Sequence, residues 1–176
     1  MILETPRLIL RPVNIDDAED IYEYAHDLRV GPDAGWVPHN DIDETKSVII
    51  HNLCNPESGI VLALELKSSG KMIGSVGLHP EIHRNNPYAR MLGYVLNADY
   101  WGNGYVPEAA RALIDYGFKE MDLDLISCLC YDYNQRSRRV IEKLGFTLEG
   151  TIHEAEFRYD GRLLNHECYY LKNPYK

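Results

Sequence analysis

Apolar residues along this chain change period as they go. Runs of strand length stand at R-L-I-L-R-P (7–12), I-V-L-A-L-E-L (60–66), K-M-I-G-S-V-G-L-H (71–79), 90–96 and 125–131, bounded by turn residues as strands are. Pro12 ends the first, since proline has no N–H to give a ladder. K-S-S-G-K joins the second and third as a hairpin. Between these runs the composition or spacing is helical. Asp16–Asp27 follows Asn14, a capping residue. Asp41–Asn55 carries Val48, Ile49, Asn52 and Leu53 near its apolar boundary, and Val106–Phe118 lines up Val106, Ala109, Ala110, Leu113 and Gly117 on one face. Gln135–Leu144 stops at Gly145, as helices often do at glycine. Gly31–Asn40, rich in Gly and Pro, reads as a loop, and two last strands surround the turn Y-D-G-R. With no repeat or linker, residues 1–176 read as one mixed α/β domain.

Charge narrows the partners. Twenty-seven acidic against eighteen basic side chains give a net charge of −9. Nucleic-acid binding needs clustered positive charge, so no direct nucleic-acid partner is expected; the balance favours a cationic one. No run approaches the ~20 apolar residues of a membrane span, and the N-terminus has no signal-peptide pattern. A cytoplasmic protein with no membrane association is expected. Cys54, Cys128, Cys130 and Cys168 lack C-x-x-C spacing and read as buried reduced thiols, the pair at 128 and 130 facing one side of a strand. Pro80 keeps His79 and His83 off a shared helical face, and no metal site is expected.

The stretch N-A-D-Y-W-G-N-G-Y-V-P-E-A (97–109) carries the chemistry. Gly102 and Gly104 sit between a strand and a helix with Pro107 in its first turn. No Lys-Ser or Lys-Thr follows, as a phosphate loop requires, and Pro107 stands where a dinucleotide fingerprint has its third glycine. Two readings stay open. Either this is a tight turn with no ligand, or free N–H groups and the helix dipole here receive an anion such as pyrophosphate.

Four segments together resemble the GCN5-related N-acetyltransferase (GNAT) superfamily, and within it the RimJ/RimL-like ribosomal-protein N-acetyltransferase branch. They are L-E-T-P-R-L-I-L-R-P, M-L-G-Y-V-L-N-A-D-Y-W-G-N-G-Y-V-P-E-A, N-Q-R-S-R-R-V-I-E-K-L-G-F and E-G-T-I-H-E-A-E-F-R-Y-D-G, in order over almost the whole chain. The superfamily's acetyl-CoA signature has Gln or Arg where Trp101 stands and Gly or Ala where Val106 stands, so this chain departs at both. The resemblance implies an α+β fold: a twisted, mostly antiparallel sheet of about seven strands with about four helices, splayed at a cleft for acetyl-CoA as cosubstrate. It implies that Leu96 offers backbone groups to the pantetheine arm, and that Trp101, Gly102, Asn103, Gly104, Tyr105 and Val106 surround the pyrophosphate.

It also assigns roles further on. Asn134 is by itself a helix N-cap; the family's equivalent asparagine also touches the pantetheine. Ser137, otherwise a first-turn hydroxyl, matches a proposed acid for the departing thiolate. Arg138, Arg139 and Lys143 read as a solvated face, or as contacts for CoA's 3′-phosphate. Glu156 matches a proposed base on the closing hairpin, and strand parity sets Glu154 on the same face. Trp36 (in 33–39) and Tyr159 (in 159–162) are expected walls for the amine acceptor. Direct acetylation of a protein N-terminus, acetylation of a polyamine, amino acid or aminoglycoside, and acyl-CoA binding without catalysis are the readings carried forward, with a homodimer open as the assembly.

Overall fold

The structure, a computed structural model, describes residues 1–176. Its elements run β1 (Leu3–Glu4), β2 (Leu8–Pro12), α1 (Ala18–Ala25), α2 (Gly31–Ala34), α3 (Ile42–Val48), β3 (Ile60–Leu66), β4 (Met72–Pro80), β5 (Ala89–Leu96), α4 (Tyr105–Lys119), β6 (Leu125–Tyr131), α5 (Gln135–Lys143), β7 (Thr147–Phe157) and β8 (Leu163–Lys172). The strands make one eight-stranded sheet in the order β1-β2-β3-β4-β5-β6-β8-β7. The strand beyond the expected seven is β1, a two-residue piece against Leu10 and Ile9. Five α-helices stand where four were expected. The extra one, α2, lies inside the segment read as a loop; Pro32 suits its first turn, and Gly35 ends it at φ +89°.

Every neighbouring pair is antiparallel except β5 and β6. Parallel neighbours need a long crossover, and α4 supplies it. Along β3 the side chains alternate between two cores. Leu62, Leu64 and Leu66 pack toward α4 with its Val106, Ala109, Ala110 and Leu113. Ala63 packs on the opposite face with Ile21, Tyr24 and Ala25 of α1 and with Ile49. Burial on both faces is why this strand reads as an apolar run broken only by Glu65, which pairs with Arg11.

Local signals set the ends. Asn14 accepts from the Asp16 N–H while the Asp17 carboxylate accepts from the Asn14 N–H, a capping box ahead of α1. Asp41 caps α3, whose last turn widens into a π-helix over Ile49–Leu53. All four cysteines are free; Cys128 and Cys130 are buried as expected, but Cys54 is exposed and Cys168 half-buried. No helix is long and apolar enough to cross a membrane.

Candidate active site

The site exists because two neighbouring strands part. β5 and β6 pair only through Ala89–Leu92 and Leu125–Cys128. Beyond Leu92 the strands diverge and leave a cleft between them. The Asn97 N–H donates to the Ile73 carbonyl of the β4 side at 2.8 Å, so by alternation the peptide groups of Leu96 point the other way, into the opening. The Leu96 carbonyl accepts the Trp101 indole N–H at 2.9 Å. Leu96 therefore offers its N–H, and Trp101 is an anchor of the turn as well as a wall.

The turn after Trp101 has the geometry of an anion cradle. Gly102 (φ +82°) and Gly104 (φ +78°) both take the left-handed conformation that favours glycine. The N–H groups of residues 102–106 donate to no group of the protein, and no side chain caps α4 at Gly104. Free N–H groups at the start of a 15-residue helix are aligned with its dipole. Asn103 turns its side chain back to the carbonyls of Tyr100 and Trp101, so toward the opening it presents backbone. Val106 is only 6% exposed and packs into the larger core; its bulk lies away from the cradle and leaves its N–H there. Arg7 holds the turn from outside. It donates to the Asn103 carbonyl at 2.9 Å, lies over the Tyr105 ring at 4.4 Å, and pairs with Glu108 at 2.6 Å.

A cavity of about 290 Å³ opens beside this turn, lined by Leu96, Trp101, Gly102, Gly104, Tyr105 and Val106 and by Arg136, Arg139 and Lys143 of α5. On a chain of net charge −9 this is a locally positive place. Arg136 stacks on Trp101 at 4.0 Å and pairs with Asp33 at 2.6 Å. Arg138 is elsewhere, bound to Glu167 at 2.6 Å. Backbone amides and cations together fit the pyrophosphate and phosphate groups of acetyl-CoA.

That cavity runs into a second of about 630 Å³, and Asp33, Ala34, Tyr94, Val95, Asn134 and Ser137 line both. Asn134 caps α5 by accepting the Ser137 N–H at 3.1 Å, so capping positions it at the junction. The Ser137 and Tyr94 hydroxyls are hydrogen-bonded at 2.7 Å. Burial holds the Tyr94 phenol well above its ordinary pKa, so it keeps its proton.

In the larger chamber Glu156 is held from two sides. The Tyr131 hydroxyl lies 3.0 Å from each carboxylate oxygen, and His166 Nε2 lies 3.2 Å from Oε2. Burial, and then the carboxylate it donates to, raise the Tyr131 phenol above its ordinary value. The expected parity of Glu154 and Glu156 fails. The register of β7 shifts between Ile152 and Glu156, and Glu154 sits at φ +53°, exposed, its N–H given to the Asn165 side chain. The bulge turns Glu154 out and leaves Glu156 as the hairpin carboxylate in the chamber.

Trp36 lines the chamber and is tied by its indole N–H to the Ala25 carbonyl at 3.1 Å. Tyr159 is not brought there; it stands 47% exposed at the hairpin end. Cys128 and Cys130 line the chamber, and burial pushes the Cys130 thiol up to about 12 and Cys128 higher still. Neither is a thiolate at neutral pH, so neither is poised as a nucleophile. No lysine or arginine lines the chamber, and no group of three or more His, Cys, Asp and Glu is placed to hold a metal. Sequence reasoning missed Tyr94, Tyr131 and His166. Nothing local in the sequence marks them: the chain has thirteen tyrosines and seven histidines, and residue type alone singles out none.

Residues 7–147 match the sequence model of the acetyltransferase (GNAT) domain. The chain belongs to the GNAT acetyltransferase family. It is 30% identical over 165 residues to the uncharacterized N-acetyltransferase p20 of Bacillus licheniformis, spanning 93% of this chain and 91% of that one. It is 26% identical over 118 residues to the ribosomal-protein-serine acetyltransferase of Escherichia coli, 67% and 65% of the two chains. Among solved structures, a GNAT acetyltransferase from Bacillus anthracis superposes with a TM-score of 0.83 at 25% identity, over 98% of this chain and 99% of that one. RimL, a ribosomal L7/L12 alpha-N-protein acetyltransferase in complex with coenzyme A, superposes at 0.81 with 20% identity over 98% of each. As a GNAT protein the chain is an acetyl-CoA-dependent N-acetyltransferase, and its likenesses include the RimJ/RimL-like branch. Binding without catalysis is thereby set aside.

Proposed function

We propose that this GNAT domain acetylates the α-amine at the N-terminus of a protein or peptide in the cytoplasm, by direct transfer, with Glu156 as base and Ser137 as acid. One observation carries the reading: Glu156 is hydrogen-bonded by Tyr131 and His166 in a chamber that no lysine or arginine lines. Such a chamber admits a cationic amine without a competing positive charge. A primary α-amine has a pKa of ~7.7–8.0, against ~10.4 for a lysine side chain, so a glutamate has less work to do with it. Glu156 takes the amine's proton, directly or through one water. The amine nitrogen then bonds to the thioester carbonyl carbon as the carbon–sulfur bond breaks. Ser137, with the Tyr94 hydroxyl behind it, gives the departing thiolate a proton, and the second proton that the nitrogen sheds on becoming an amide returns to the serine, directly or through water. The protonated state of Cys128 and Cys130 supports transfer without an acyl-cysteine stage.

The 26% identity to the E. coli ribosomal-protein-serine acetyltransferase supports a protein as acceptor. The competing acceptor is a small polyamine, amino acid or aminoglycoside. Basic peptides with free and blocked N-termini, and spermidine, are compared by release of CoA. Acetylation confined to the free peptide is the expected result; equal use of the blocked peptide, or preference for spermidine, would sink the assignment. Added salt should raise the KM for a basic peptide through screening.

A further inference from the structure

We propose that His79 binds the acceptor beside its reacting amine, accepting the first amide N–H of the peptide and so selecting peptide-like amines. This rests on the N-terminal acetylation reading and extends it to the groups the enzyme recognises.

His79 lies on β4 and lines the larger chamber, as do Gly77 and Gly93. Those two glycines face each other across β4 and β5. A Cβ on Gly77 would come within 2.7 Å of His79 Nε2, and one on Gly93 within 2.9 Å. The imidazole therefore lies over a patch of sheet stripped of side chains. Glycine inside a strand weakens it and often marks a close approach; here two central strands both give up a side chain at the place where the ring sits.

The ring's state follows from its other nitrogen. Nδ1 stands 2.8 Å from the Ser58 carbonyl oxygen. A carbonyl only accepts, so Nδ1 carries a proton toward Ser58 and Nε2 is the ring nitrogen left to accept. Nε2 has no partner within the protein, whereas no buried side-chain nitrogen or oxygen lacks one. The lone pair therefore opens on the chamber. With Glu156 assigned to the amine, Nε2 is an acceptor that calls for a second donor on the substrate. A simple monoamine has none, but every peptide N-terminus not followed by proline carries one in its backbone.

The test uses the full chain, acetyl-CoA and two basic peptides that differ only by N-methylation of the first peptide bond. The variants are His79→Asn, whose amide keeps a donor for Ser58 but drops Nε2, and Gly93→Ala, which displaces the ring and leaves His79 itself in place. A neutral hydrogen bond corresponds to roughly three- to tenfold in binding. In the parent, methylation should raise peptide KM by that factor. Both variants should raise KM for the unmethylated peptide similarly, keep the acetyl-CoA KM and lose sensitivity to methylation, the non-additivity that marks a direct contact. A purely structural role would lower the melting point and shift both KM values, and it would overturn the proposal. So would a parent indifferent to methylation, a measurement that needs no variant to fold, or variants that keep the parent's penalty. If the parent acetylates neither peptide, the N-terminal reading falls and takes this one with it; turnover with additive effects overturns the His79 assignment alone.

Discussion

The Tyr94 hydroxyl reaches the Ser137 hydroxyl at 2.7 Å where the two cavities meet. It is also 3.2 Å from the Ser137 carbonyl. Ser137 is thus one end of a hydroxyl pair whose inner member burial keeps protonated. Ser137→Ala and Tyr94→Phe should each lower kcat by roughly tenfold, less than the ~10²–10⁴-fold of a general acid–base group, because water can protonate a thiolate in their place. The acetyl-CoA dissociation constant should stay put. Parent-like turnover in both variants would remove the pair from the reaction.

Glu156 carries the larger share. Glu156→Gln keeps the shape and the contact with Tyr131 but removes the base, and should cost ~10²–10⁴-fold in turnover. Tyr131→Phe, which strips away the hydroxyl that holds the carboxylate, should cost less. Single-turnover rates from pH 6 to 9 check both. A Glu156→Gln rate equal to the parent's across that range would move the base elsewhere.

The cradle at residues 102–106 can be tested through melting. A ligand bound only by the folded chain stabilises it by ~2.7 kcal/mol at a hundredfold excess over its dissociation constant. Acetyl-CoA should give a clear upward shift in the parent. Gly104→Glu should abolish it, since it sets a negative charge beside the anion cradle and puts a side chain on a left-handed residue at φ +78°. An undiminished shift in Gly104→Glu would place the pyrophosphate elsewhere.

Glu108 links the first strand to the start of α4, and its carboxylate gathers the Thr5 hydroxyl at 2.6 Å, the Arg7 N–H at 2.9 Å and the Arg7 guanidinium. Burial pushes its pKa up, but these hydrogen bonds outweigh burial and hold it below the ordinary carboxylate value. A carboxyl with a depressed folded pKa adds stability above its unfolded pKa and loses it as pH falls through the folded one. Glu108→Gln should therefore cost about 1–2 kcal/mol at pH 7, with the exposure of Arg7 discounted. Denaturant melts at pH 7 and at about pH 3 should show that gap narrowing in acid. A gap that widens there would contradict the assignment.

Most of the strands and helices were legible because they depend on neighbours a few residues apart. The run at 125–131 is a strand with those bounds, and the face from Val106 to Gly117 is buried as its spacing required. The cradle was half legible. Gly102-x-Gly104 announced an unusual turn, but only φ values of +82° and +78° and unpartnered N–H groups separate an anion site from a plain bend. Asn134 was readable as a cap because its partner, the Ser137 N–H, is three residues away.

What tertiary structure alone decided is who meets whom across the cleft. Tyr94 and Ser137 are separated by 43 residues, and Tyr131 and Glu156 by 25; no local pattern encodes such a meeting. A bulge in β7 overrode the period of two and sent Glu154 to solvent while Glu156 turned inward. The histidine that the sequence offered only as a rejected metal ligand became a placed lone pair once folding laid it over Gly77 and Gly93. Residue types and their short-range order choose the elements, because capping, turn strain and apolar periodicity act within a few residues. The site is made by the parting of β5 from β6, because only folding brings distant hydroxyl, carboxylate and imidazole groups within the roughly 3 Å over which protons and hydrogen bonds are shared.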